Sequence, residues 1–202
     1  MSNTHKPEQI RAAVLHATLT LLENGTPWPT LTIKDVAKHA DISYAHTQEI
    51  YTSKSDIYQG LLKDIDRKIE AQADPYLYSE TPRDRLFELL MLHFDILNEY
   101  PTAYRNLFLE TFKNPSLFRY ALSGFHRSME VVLRLCDLNG RNDTSCPPLR
   151  TGAVALVFLN TLRVWTTDNT TDMAQTMAEL DRGLNRLEQA MGYIPAPLKR
   201  FI

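Results

Sequence analysis

Apolar positions recur along almost the whole chain at steps of three and four, the period of a helix with one buried face, and alternating β-branched runs are almost absent. The first such stretch carries Ile10, Val14, Ala17 and Leu21, opens near Pro7 and stops at Asn24-Gly25. Two prolines around Trp28 predict a short extended connector. Thr32, with Asp35 three residues on, has the form of a capping box and starts a second helix that bears Ile33, Val36 and Ala37 and ends near Ala40. Asp41-Ile42 predicts a tight turn. Ser43 is placed to cap a third short helix through about Ile50, and Ser53 a fourth that continues through Ile57, Leu61, Leu62 and Ile65.

The stretch from Asp74 to Pro82, with two prolines and little periodicity, predicts a joint that divides the chain into residues 1–73 and 74–202. Beyond it, helices are expected over 83–100, 102–112, 115–138, 148–166 and 172–191, with a polar, turn-rich segment from Asn139 to Pro148. The chain is therefore expected to be all-α, with about nine helices. Met173, Met177, Leu180, Leu184, Leu187 and Met191 recur at 4, 3, 4, 3, 4 in the last helix, the spacing of a coiled-coil seam. The helix before it is apolar on most sides from Ala153 to Trp165, Leu156 and Leu159 included, which is more surface than one neighbour covers. Together they predict half of a four-helix bundle completed by a second subunit, a homodimer with an isologous two-fold interface. A single-chain core that absorbs both helices is the alternative.

Composition narrows the class. A chain of 202 residues with 44% apolar and 23% charged residues is an ordinary globular sequence, which excludes disorder, collagen-like repeats and a disulfide-stapled miniprotein. Its 22 Lys plus Arg against 24 Asp plus Glu argue against coating nucleic acid or membrane by bulk charge, so any such contact has to be local. The longest apolar run, Ala153 to Leu159, is far shorter than a membrane span needs. Cys136 and Cys146 have no partner at zinc-ligand spacing and read as reduced thiols of a cytoplasmic protein. No nucleophile elbow, phosphate loop or paired catalytic carboxylates appear, and His126 and Cys136 fall on different faces of one helix. Neither an enzyme nor a cofactor or metal site is expected.

The second helix, its short turn and the third helix have the spacing of a helix-turn-helix. Here the sequence resembles the TetR family, in Ala17 and Leu21 before Asn24-Gly25, in Leu31-Thr32-Ile33-Lys34-Asp35-Val36-Ala37, in Ala40-Asp41-Ile42-Ser43, and in Tyr51, Ser53-Lys54 and Ile57. The family usually has Gly where Asp41 stands, an apolar residue at Thr47 and Tyr at Gln48. The resemblance implies a regulator of transcription that binds double-stranded DNA as a homodimer. Thr32, Lys34 and Lys54 would meet phosphates, and Ser43, Tyr44, Ala45, His46 and Gln48 would face the major groove. Residues 1–72 hold 8 Lys plus Arg and 9 Asp plus Glu, so this face is not basic overall.

The family resemblance also implies a small-molecule effector held by the second domain. Phe87, Met91, Phe94, Phe108, Phe112, Phe118, Phe125 and Met129 are the large apolar side chains placed to line such a site, which predicts a hydrophobic effector. His93 reads as a satisfied core histidine. A narrower resemblance covers 83–95, Arg163-Val164-Trp165, Asp168 and 176–182. It is to a TetR-like subgroup akin to ubiquinone-biosynthesis accessory proteins, which implies the alternative of a non-enzymatic lipid or isoprenoid binder with weakened or lost DNA binding.

Overall fold

The computed structural model describes residues 7–73, 81–136 and 147–193, with the side chains of 147–149 and 191–193 left aside. Nine α-helices occupy these residues: α1 Pro7–Glu23, α2 Ile33–His39, α3 Tyr44–Ile50, α4 Lys54–Gln72, α5 Pro82–Leu97, α6 Pro101–Lys113, α7 Pro115–Leu135, α8 Pro147–Trp165 and α9 Ala174–Tyr193. No strand occurs among the described residues. Most of the proposed joint, the turn-rich segment through Cys146, and the Met191 side chain lie outside them.

The chain sorts into two compact units, Met1–Ile65 with Ile96–Gly124, and Asp66–Asp95 with Phe125–Ile202. In the first unit, α1 turns its Ile10, Val14, Ala17 and Leu22 inward, where they are buried together with Trp28, Leu31, Val36 and Ala37. The end of α1 is a Schellman motif. Gly25 has φ +91°, its N–H donates to Leu22 O, and Thr26 N–H reaches back to Leu21 O. The connector that follows is a tight turn rather than the expected extended segment. Thr30 and Leu31 both donate to Pro27 O at 3.1 Å, which closes the turn. At the far end of the unit, Thr111 donates its hydroxyl to Leu107 O, so Tyr58 Oη donates to Thr111 Oγ1 at 2.9 Å, tying α4 to α6.

In the second unit, α5, α7 and α8 meet around Phe158, whose ring lies 4.9 Å from Phe94 and 5.5 Å from Phe125. Arg83 on α5 bonds Asp181 and Asn185 on α9. The turn between α8 and α9 is organised by buried Asp168. Its Oδ1 accepts from Thr170 N–H and hydroxyl, and its Oδ2 from Thr176 N–H and hydroxyl. Burial opposes the charge, and these four donors overcome it and bring the carboxyl down to about 2.

Helices α8 and α9 approach closely at Gly183, where a Cβ would stand 2.7 Å from Val157 Cγ1. Valine is stiff at χ1 and cannot yield cheaply. Gly183→Ala should therefore lower stability by about 1 kcal/mol, since overpacking of about 1 to 3 kcal/mol exceeds the gain of about 1 kcal/mol in helix propensity. Combining it with Val157→Ala should recover most of that loss, read as positive coupling in a urea-denaturation cycle.

Candidate nucleic-acid interface

Two short helices and the turn between them form the candidate interface. Thr32 caps α2 with a complete capping box: its Oγ1 accepts from Asp35 N–H, and Asp35 Oδ2 accepts from both the N–H and the hydroxyl of Thr32. Asp35 is held below the usual carboxylate range by the Thr32 hydroxyl and amide. The end of α2 repeats the Schellman geometry of α1. Asp41 has φ +53°, Asp41 N–H donates to Lys38 O, and Ile42 N–H donates to Ala37 O at 3.0 Å. Ser43 then caps α3 by accepting from His46 N–H at 3.2 Å.

Exposure divides α3 sharply. Tyr44, Ala45, His46, Gln48 and Glu49 are exposed, whereas Thr47 is fully buried with its hydroxyl donated to Ser43 O. That internal hydrogen bond lets a threonine fill an apolar position, because its polar atom needs no water. Tyr44, 40% exposed, lies beneath the Lys34 ammonium, whose Nζ is 5.6 Å from the ring centroid, and this contact links α2 to α3. Lys38 and His39 are exposed at the end of α2, and Asp41 is exposed beside them.

Two residues expected to meet phosphate are engaged otherwise. Lys54 Nζ donates to Trp28 O at 2.8 Å and to Pro29 O at 3.1 Å and lies 5.3 Å from the Trp28 ring centroid. Burial pushes its pKa down. The carbonyls of the Pro27–Thr30 turn point at this ammonium, so two of its three donors hold the connector. Thr32 likewise gives its hydroxyl proton and its amide proton to Asp35. That Thr32 and Lys54 stand at helix N-termini and that Thr32 pairs with Asp35 was visible in sequence, whereas the carbonyls that Lys54 meets depend on the fold of the connector.

The expected effector-lining residues do not form one group. Met91, Phe94 and Met129 are buried, and Phe87 and Phe125 half-buried, in the second unit. Phe108, Phe112 and Phe118 belong to the first unit, and Phe112 and Phe118 are 60% and 46% exposed, so these two do not enclose anything. They point outward because Leu107, Thr111 and Leu117 take the inward faces of α6 and α7. Phe158, which sequence reasoning did not single out, stands at the centre of the buried aromatic group. The expected α9 seam is covered in part by its own chain. Leu180 and Leu184 are buried within the chain by the close approach of α9 to its own α8, and Met173, Met177 and Leu187 are half-buried. On α8, Leu156 is 70% exposed, and Leu159 is exposed too.

Neither a family model nor a curated protein matches the sequence. Solved structures do match. The TetR transcriptional regulator from Nitrosomonas europaea ATCC 19718 superposes with a TM-score of 0.73 at 16% identity, over 89% of this chain and 98% of its own. A TetR transcriptional regulator from Rhodococcus sp. RHA1 gives a TM-score of 0.65 at 15% identity, over 90% and 97%. The chain has the TetR fold. A regulator of the TerR/AcrR family from Aquifex aeolicus VF5 gives a TM-score of 0.59 at 11% identity, over 88% and 99%. The Schellman position at the end of α2 is held by Asp41, a non-glycine residue.

A non-glycine residue at positive φ carries a penalty that Asp bears better than most. Asp41→Gly should stabilise the chain by up to about 1 kcal/mol, the relief of strain being partly offset by unfolded-state entropy. For a chain of this length that is a rise in Tm of about 2 to 4 °C. A calorimetric Tm equal to or below that of the unsubstituted protein would contradict it.

Proposed function

We propose that this protein is a transcriptional regulator that binds double-stranded DNA through the α2–turn–α3 unit, with Tyr44, Ala45, His46 and Gln48 reading base edges in the major groove. The observation that carries the reading is the division of α3: a capped helix, anchored by one buried threonine, turns those four side chains to solvent. Gln48 can form paired hydrogen bonds with adenine, and Tyr44 can donate one. Lys34, Lys38 and Ser43 supply the backbone contacts in this proposal, and Lys54 and Thr32 hold the frame.

The proposed regulator acts as a homodimer joined through the outer face of α8, where Leu156 and Leu159 are exposed. Two copies would then offer α3 helices to successive major grooves about 34 to 36 Å apart, which calls for a palindromic operator. A hydrophobic effector held in the second unit near Phe94, Phe125 and Met129 would act through its differential affinity for dimers of matched and mismatched spacing. Such an activity belongs to the compartment that holds the DNA, the cytoplasm.

Selection from fragmented genomic DNA followed by anisotropy titration tests the reading. Tyr44→Ala and Gln48→Ala should each weaken binding to the selected sequence by about 10- to 100-fold, with little change on random DNA. Lys38→Ala should weaken both alike and reduce the salt slope by about one. Failure to enrich any sequence, or equal losses on selected and random DNA for the α3 substitutions, would sink the DNA-reading proposal. Leu156→Glu should leave the helical content intact and give a monomer in analytical ultracentrifugation, and an unchanged sedimentation coefficient would place the dimer contact elsewhere.

A further inference from the structure

A buried polar chain in the second unit has fewer hydrogens than its contacts require. Asp66 on α4, Ser128 on α7 and His93 on α5 are all buried. His93 Nδ1 lies 3.0 Å from Leu89 O, His93 Nε2 lies 2.9 Å from Ser128 Oγ, and Ser128 Oγ lies 2.5 Å from Asp66 Oδ1. Each contact joins two electronegative atoms and needs one hydrogen between them. A neutral imidazole supplies one, the hydroxyl one and an ionised carboxylate none, so two hydrogens face three contacts.

We propose that Asp66, Ser128 and His93 form a proton-binding site that holds one proton more than a carboxylate, a hydroxyl and a neutral imidazole carry, and that this proton fastens α4 to α5 and α7. Both directions of the chain are complete. With the ring neutral, Asp66 Oδ1–H donates to Oγ, Oγ–H to Nε2, and Nδ1–H to the Leu89 carbonyl. With the ring cationic, Nε2–H donates to Oγ and the hydroxyl to the carboxylate. Burial drives the His93 ring down to about 4, while the Leu89 carbonyl and the Asp66 charge pull it upward.

Other groups among the described residues face the site or lie beside it. Arg127 on α7 donates from Nε to Asp66 Oδ2 at 3.0 Å in either direction, and its side chain is 41% exposed. Glu70 and Arg134 pair with each other further along α4 and α7. From α8 the facing group is the Phe158 ring, 5.1 Å from the imidazole and without charge. The proton therefore belongs to the three residues as a unit.

The sign of the linkage follows. An unfolded histidine releases its proton at about pH 6.5 and an unfolded aspartate at about 3.9. Above about pH 6.5 the folded chain holds a proton that the unfolded chain has lost, so stability falls as pH rises until the folded site also releases it. Asp66→Asn supplies the missing hydrogen covalently. Its Nδ2–H donates to Oγ, its Oδ1 accepts from Arg127, and no borrowed proton is needed.

Urea unfolding of the full chain at fixed protein concentration, from about pH 6 to 9, is the test. The folding constant of the unsubstituted protein should fall by up to about tenfold per pH unit relative to that of Asp66→Asn. Parallel pH profiles would overturn the proposal. Should the variant not fold, the unsubstituted protein still decides the matter at neutral pH by 15N spectra of the His93 ring and infrared difference spectra against 13C-labelled Asp. A doubly protonated ring or a protonated Asp66 carboxyl supports the site. A neutral ring beside an ionised carboxylate refutes it.

Discussion

Seven residues make two turns of helix, too few to persist in water unaided, so the outward face of α3 depends on what holds its ends and its one buried side. Ser43 closes the first turn, Thr47 fills the core position while satisfying its own hydroxyl, and buried Tyr51 donates its N–H to Thr47 O at the last turn. The same demand falls on α2, which meets it with the Thr32–Asp35 box at one end and the Asp41 turn at the other. Lys54 fixes the Trp28 connector that leads into α2. Residues at helix termini thus form the frame, and the outward side chains between them are left exposed to solvent.

This division bears on electrostatics. Residues 1–72 carry one more acidic than basic side chain, one of the cations is turned inward at Trp28, and another sits over the Tyr44 ring. A surface with so few free cations releases few counterions on meeting DNA, so attraction that ignores sequence is weak. Discrimination by such a surface then rests on hydrogen bonds and apolar contacts at base edges, where Tyr44, His46 and Gln48 have the needed donors and acceptors.

Helix periods, caps and breakers are local, and they were legible: Pro7, Asn24-Gly25, the Thr32–Asp35 pair and Ser43 each mark an end found within a residue or two. The 4-3 spacing of α9 was equally clear, yet it identifies a buried stripe and not the molecule that buries it, and the contact of Gly183 with Val157 gave part of that stripe to the chain itself. Phe112 and Phe118 misled for a related reason. Bulk and apolarity say that a side chain prefers to be covered, while Thr111, the less apolar neighbour, took the inward position because Leu107 O and Tyr58 satisfy its hydroxyl. His93 was recognisable as a core histidine, but Ser128 lies 35 residues from it and Asp66 62 residues from Ser128, beyond any helical period.

Two buried aspartates show why such partners matter more than residue type. Asp168 is met by two amides and two hydroxyls, each bringing its own hydrogen, so all four bonds are complete with the carboxylate ionised, and acid is the condition that disturbs it. Asp66 meets Arg127, which brings a hydrogen, and Ser128, whose single hydrogen is also wanted by a ring nitrogen of His93. A donor shared between two acceptors leaves one contact bare, and a bare contact between buried lone pairs is repulsive. The count of hydrogens, and not burial or charge alone, separates the two carboxyls: the bonds of Asp168 are complete with the carboxylate ionised, whereas the contacts around Asp66 call for one hydrogen more.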